Sequence, residues 1–202
     1  MSLAAVLLAA GRSRRMRGRD KLLEEIEGTP LLRRMVERIL AAQIGPLAVT
    51  LPPRALDRDA CLAGLPIERL RIADASEGLS ASLRRAARWA QDIEACGLMI
   101  CPADMPDLTQ DDFAQMAASF SADGPPIRAT SISGRPGHPV VFPTRYLPEF
   151  SALSGDAGAR ALLRTYPPFL VALPGTHATT DLDTPEDWSR WRETSGQPRT
   201  EA

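Results

Sequence analysis

The sequence predicts an α/β protein with a mainly parallel sheet covered by helices on both faces. Short apolar runs alternate with amphipathic stretches along the whole chain, which is the pattern of βαβ units. Two of those runs are cut off by prolines, at Pro52-Pro53 and at Pro102. The 202 residues, 44% hydrophobic and 24% charged, suffice to bury a core of ordinary globular composition.

Taken in order, Leu3–Ala9 is expected as a buried strand and Pro30–Ala42 as a helix, with apolar spacing at Leu31, Met35 and Ile39. Leu47–Leu51 and Arg69–Ala73 are strands, followed by a helix over Ser80–Ile93. Gly97–Cys101 is a fourth strand, and Thr109–Phe120 a helix with Thr109 as N-cap and Asp112 in the capping-box position. Ile127–Ser131 and Val140–Phe142 read as strands around a Gly/Pro turn. Ala157–Tyr166 is helical, Phe169–Leu173 a strand, and Pro185–Arg192 a last helix with Thr184 as N-cap and Pro185 at N1. One domain over residues 1–192 is expected, with a frayed polar tail at 193–202.

Composition excludes several classes. No apolar window approaches the roughly 18 residues of a membrane span, so no membrane partner is expected. The apolar stretch Leu3–Ala10 has no basic residue before it and is too short for a signal peptide. The three cysteines, Cys61, Cys96 and Cys101, form no C-x-x-C pair. They read as buried, inert thiols of a cytoplasmic protein. The net charge of −1 hides a local +5 over residues 12–21 (RSRRMRGRDK). That balance argues against a nucleic-acid binder, which is basic across a whole face, and for an anionic ligand near residue 15.

In parallel sheets ligands sit at the carboxyl ends of strands, which turns the loops into candidates. After the first strand, Ala10-Gly11-Arg12-Ser13-Arg14-Arg15 and Lys21 offer close backbone approach and compensating charge to a phosphate. Neither a Walker A motif nor G-x-G-x-x-G is present, and a solvated basic loop is the other reading. After the fourth strand, Asp104 stands among prolines in CPADMP, placed either to hold a cation against phosphates or to act as a turn residue. EGLSASL offers Gly78 to a planar base or ribose, with Ser80 as a helix N-cap in either case. GRPGHP puts His138, one of two histidines, in a rigid loop, where a turn role is the plainer reading. The segments opening at Gly155-Asp156 and Asp181-Leu182-Asp183 have capping explanations, and Asp183 could lend a second carboxylate to a metal.

Together and in order, LLAAGRSRRM…DKLL, EGLSASLRRA, PADMPDL, GRPGHPVVF, SGDAGARALL and DLDTPEDW resemble the molybdopterin nucleotidyltransferase-like family, over residues 7 to 188. The variant with Ala9-Ala10-Gly11, Gly137-His138-Pro139 and GDAGAR is most similar to the molybdenum cofactor cytidylyltransferases, whereas guanylyltransferase relatives carry a second glycine where Ala10 stands. The resemblance implies a three-layer α/β/α sandwich of nucleotide-diphospho-sugar transferase type with a Rossmann-like sheet. It implies Mg²⁺-dependent transfer of CMP from CTP to the terminal phosphate of molybdopterin, with an apo-molybdoenzyme as a further partner. By motif, Arg15, Lys21 and Asp104 carry catalysis, and Ala9, Ala10, Gly11, Arg12, Ser13, Gly78, Leu79, Ser80 and Ser82 bind the nucleotide. Gly137, His138, Asp156 and Arg160 face the acceptor, and Asp104 with Asp183 holds the metal. Arg17 departs from the family where glycine usually follows the methionine, as does Pro102-Ala103 before Asp104. The alternatives are GTP as donor, another acceptor such as a sugar phosphate, or a non-catalytic carrier of the cofactor.

Overall fold

β1 (Leu3–Leu8) is buried on both sides. Leu3, Ala5 and Leu7 enter one core cluster, and Ala4 and Val6 enter another. Such two-sided burial marks a strand at the centre of a sheet covered by helices. The structure, a computed structural model, describes residues 2–74, 77–155 and 158–196.

After β1 a 3-10 turn at Arg14–Met16 leads to a two-residue ladder, β2 (Glu25–Ile26) with β3 (Thr29–Pro30), and then to α1 (Leu31–Ala41). β4 (Leu47–Leu51), α2 (Leu56–Cys61), β5 (Glu68–Arg71), α3 (Leu79–Asp92), β6 (Gly97–Pro102) and α4 (Gln110–Ala118) follow. β7 (Ile127–Thr130) and β8 (Pro136–Pro143) precede a 3-10 segment at Thr144–Ala152, then α5 (Arg160–Thr165), β9 (Phe169–Ala172) and α6 (Pro185–Ser195).

Seven strands form one sheet in the order β5-β4-β1-β6-β8-β7-β9, and only β8 runs antiparallel to its neighbours. Residues of α1, α4 and α6 pack on one face with Leu3, Ala5 and Leu7, while α3, the 3-10 segment and α5 pack on the other with Ala4 and Val6. The three-layer sandwich with a mainly parallel sheet is therefore what the chain forms. The chain goes from β1 to β4 on one side and later returns to β6 on the other, so the strand order reverses at β1–β6. Crevices open at the carboxyl ends of strands at such a reversal.

The capping boxes at Thr109/Asp112 and Thr184/Asp187 form with both reciprocal bonds. Several expectations need correction. α2 was not expected, because its six residues LDRDAC bury a charged residue, Arg58, and so show no apolar periodicity. The β2–β3 pair and the 3-10 segment likewise lack a pattern long enough to read. α5 starts at Arg160, not at residue 157, since Gly158 sits at φ 59°, outside the helical region. α6 runs to Ser195, three residues into the expected tail: Thr194 and Ser195 hydroxyls donate to Trp191 O, and Gly196 in the left-handed region closes the helix. Ser80 is no N-cap; that position is Gly78, at φ 86°. Cys101 is buried, but Cys61 and Cys96 are half-buried, and all three are free thiols. No helix among the described residues is long and apolar enough to cross a membrane.

Candidate active site

A cavity of about 440 Å³ opens at the β1–β6 reversal. It is lined by Ala9, Ala10, Gly11 and Arg12 after β1, Lys21, Gly78, Leu79 and Ser82 at the start of α3, Asp104 after β6, and His138 on β8. Ten of the sequence-predicted residues thus meet around one space, drawn from four segments far apart in the chain. Small residues line the end of β1, so backbone rather than side chain faces the cavity there. A Cβ added at Gly11 would meet nothing within 4 Å, so this glycine leaves open room.

The charged centre is a chain of alternating signs. The Lys21 ammonium donates to Asp104 Oδ2 and, at 2.6 Å, to Asp183 Oδ1. Arg15 donates to the other oxygen of Asp183, also at 2.6 Å. Burial works against the charge on Lys21, but Asp104 and then Asp183 outweigh it and raise its pKa above the usual lysine value. Burial also opposes ionisation of Asp183, yet the bonds and charges of Lys21 and Arg15 hold its pKa below the usual range. Asp181 goes the other way: burial, then the negative charges of Asp104 and Asp183, push it up. Asp104 Oδ1 is buried with no hydrogen-bond partner among the described residues.

Arg58 is the residue that sequence reasoning missed. Its buried guanidinium donates to Ala9 O, to both oxygens of Asp20 (2.6 and 2.9 Å) and weakly to Ser13 Oγ at 3.4 Å. Ser13 Oγ donates to Asp20 Oδ1 at 3.0 Å and accepts from Lys21 N at 3.3 Å. One side chain from α2 therefore ties the start of the basic loop to its end. Asp20 keeps a lowered pKa because its bonds and Coulomb attraction to Arg58, with help from Leu22 N and Ser13, outweigh the opposing effect of burial. The loop also explains why Arg17 is unusual. It lies at φ 53°, ψ 44°, the left-handed region where glycine costs least, and its guanidinium reaches Glu186.

His138 shows the opposite environment. Burial first, then the charge of Arg128, pushes its pKa down to about 4, so the ring is neutral. Its Nδ1 is buried without a partner. Gly137 is placed by packing: a Cβ there would lie 1.7 Å from Ala178 O, the oxygen that also accepts from His138 N at 2.8 Å.

Other predicted site residues lie elsewhere. Ser13 does not line the cavity but buttresses the loop. Ser80 is fully buried and donates to Gly155 O at 2.6 Å. Arg15 stands outside the lining, largely exposed, on Asp183. Arg160 lines a different cavity. Asp156 lies outside the described residues. The unpredicted Leu8, Arg14, Leu22 and Pro102 complete the lining.

Comparison with known proteins agrees with this fold. A family described as the MobA-like NTP transferase domain matches residues 5–169. A molybdenum cofactor guanylyltransferase of Burkholderia vietnamiensis is 37% identical over 128 residues, covering 60% of this chain and 58% of its own length. Another, from Rhodobacter capsulatus, is 29% identical over 197 residues, covering 94% and 95%. Among solved structures, Rv0371c of Mycobacterium tuberculosis superposes with a TM-score of 0.83 at 25% identity, over 95% of this chain and 98% of that one. The same protein in complex with manganese gives 0.78 at 23% identity, over 96% and 100%.

Proposed function

The chain belongs to the MobA-like NTP transferase domain family and is a nucleotidyltransferase, and on that premise we propose that it transfers CMP from CTP to the terminal phosphate of molybdopterin, releasing pyrophosphate. The observation that carries the reaction type is Asp104. One carboxylate oxygen is held by Lys21, and the other is buried, unpartnered and beside a cavity whose facing loop exposes backbone and arginines.

The acceptor phosphate is already anionic, so it attacks the α-phosphorus of the nucleotide without a general base. An oxygen–phosphorus bond forms as the bond to the departing pyrophosphate breaks. Catalysis is then positioning and charge stabilisation. Ala9–Arg12 approach the triphosphate through the backbone, and Arg12 and Arg14 supply charge at the rim. Lys21, held between two carboxylates, places its ammonium at the phosphates, and Gly78 and Ser82 take the base and ribose. Neutral His138 bounds the acceptor side.

The residues fit a hard divalent cation, proposed to be Mg²⁺. Among the described residues no group of three or more metal-ligating side chains forms a complete cage. Asp104 and Asp183 both contact Lys21, and one or two carboxylates completed by substrate phosphates is how Mg²⁺ is commonly held. When bound, the cation neutralises charge on the phosphates.

The choice of CTP rests on Ala10. Its methyl group packs with Ile72 and Ala81 at the cavity wall, taking space that a glycine would leave to a larger base. Molybdopterin as acceptor follows from the motif resemblance, and the relatives are named for the molybdenum cofactor. The test offers CTP, GTP, ATP and UTP separately to purified protein with Mg²⁺ and molybdenum-bound molybdopterin, and reads pyrophosphate. Release with CTP alone supports the reading, and Ala10→Gly is then expected to shift preference toward GTP. Turnover with GTP alone corrects the donor and keeps the mechanism. Silence with all four overturns the reaction.

A further inference from the structure

His138 lines the first cavity, and the charges of Arg128 and Arg160 act on its ring. Pro136, two residues earlier on β8, lines a second cavity of about 630 Å³ together with Arg128, Arg160, Arg164, Leu163 and Leu170. Three guanidiniums converge there, one from β7 and two from α5. Arg160 and Arg164 are four residues apart and so share a helix face, where like charges repel. Among the described residues none of the three pairs with a carboxylate; Arg128 Nε instead donates to Gly137 O at 3.0 Å. Burial, and then the charge of Arg160, lower the Arg128 pKa, the mark of a cation crowded by another. Among the described residues no carboxylate enters this lining. Pro136, Leu163 and Leu170 give the rest of the wall an apolar character. Two residues of strand span about 7 Å, which puts Pro136 and His138 within the reach of a small fused-ring molecule.

We infer that this arginine-lined cavity is a second anchoring subsite for the phosphorylated acceptor, taking an anionic group carried on an apolar body while the attacking phosphate lies across His138 in the nucleotide cavity. The inference rests on the nucleotidyl-transfer reading above, and deepens it by naming Arg128 and Arg164 alongside Arg160 as recognition residues. Three arginines with no carboxylate partner among the described residues are stabilised by an oxyanion, and charge-assisted bonds from arginine to such groups are among the stronger ones available.

The test is the double variant Arg160→Gln/Arg164→Gln, both positions being exposed and unpaired among the described residues, with its fold checked by thermal melting. The KM for molybdenum-bound molybdopterin is expected to rise about ten-fold or more, while the KM for the nucleotide stays within about two-fold. An unchanged acceptor KM in the folded variant overturns the subsite. If the wild-type protein turns over none of the four nucleotides, transfer itself fails, and the subsite is judged from acceptor binding alone by pterin fluorescence. Binding that weakens in the variant then sustains it, and binding that is absent or equal in both overturns it. Inorganic phosphate serves as the second probe. If it raises the melting temperature of the wild type but not of the variant, without competing with the acceptor, the cavity is a separate anion site and the inference falls.

Discussion

The two walls of the proposed nucleotide cavity are held in place by different forces. On the β1 side, Arg58 clamps Asp20 and Ala9, and Lys21 bridges Asp104 and Asp183, so position is fixed by paired charge. On the β8 side, Gly137 lies against the Ala178 carbonyl and His138 is half-buried and neutral, so position is fixed by close contact. Charged clamps can exchange partners when a polyanion arrives, whereas a sterically set wall keeps its shape. The first suits a triphosphate and a cation, the second a surface against which an acceptor is aligned.

The largest expected effect comes from breaking the charged side at its centre. Asp104→Asn keeps the shape and removes the charge, and kcat/KM is expected to fall about 10³-fold, with the melting temperature within a few degrees of wild type. Near-wild-type turnover at saturating Mg²⁺ would sink the assignment. Next is Arg58→Ala, which leaves Asp20 half-buried without its partner and frees the loop from α2. A loss of about 3 kcal/mol in stability is expected, measured by urea unfolding, as for other broken buried pairs. If Arg58 positions the loop, the nucleotide KM rises more than kcat falls, and Arg58→Lys recovers part of it. A stability loss with unchanged KM would make Arg58 purely structural.

The β8 side breaks by crowding. Gly137→Ala drives a methyl group toward Ala178 O, a distance of 1.7 Å that the backbone must relieve. Overpacking of this kind costs about 2 kcal/mol, seen as a lowered melting temperature. The acceptor KM is expected to rise with it while the nucleotide KM does not, because the β1 loop is clamped separately. Equal effects on both would mean that the walls are mechanically one.

How much of this was legible in the sequence follows the same division. Strand alternation and capping boxes are local patterns, and Leu3–Ala9, Leu47–Leu51, Thr109/Asp112 and Thr184/Asp187 could be read from them. The loops after β1 and β6 follow from the rule about strand ends, and their residues do meet. Arg58 could not be seen, because its partners lie 38 and 49 positions away and its helix is too short to show a period. The alternating charges Asp57-Arg58-Asp59 within α2 were the available hint. Ser13, Ser80 and Gly137 were assigned to ligands by motif, yet each has a partner within the protein. Small residues in a motif serve packing and loop geometry as readily as binding, and only the fold separates these uses. Arg160 lines a different cavity, shared with Arg128 of β7 and Leu170 of β9.

The smallest expected effect separates the two walls by pH. His138 has a pKa of about 4 in the folded protein against about 6.5 when unfolded. As pH falls below 6.5 the unfolded chain takes up the proton first, so this contribution is complete above 6.5 and is lost progressively toward 4. Between pH 7.5 and 5.5 the loss amounts to roughly 1.3 kcal/mol. The carboxylates behave in the opposite sense from the imidazole in origin but not in direction. Asp20 and Asp183 have pKa values held below 3.8, so their stabilisation persists through that window and is lost only as pH falls below 3.8. Urea unfolding of wild type and His138→Gln across pH 7.5 to 3 is therefore expected to show one early decline absent from the variant, followed by a later one common to both. If the variant retains the early decline, His138 titrates alike in the folded and unfolded chain, and its environment on the β8 wall is not what sets the pH dependence.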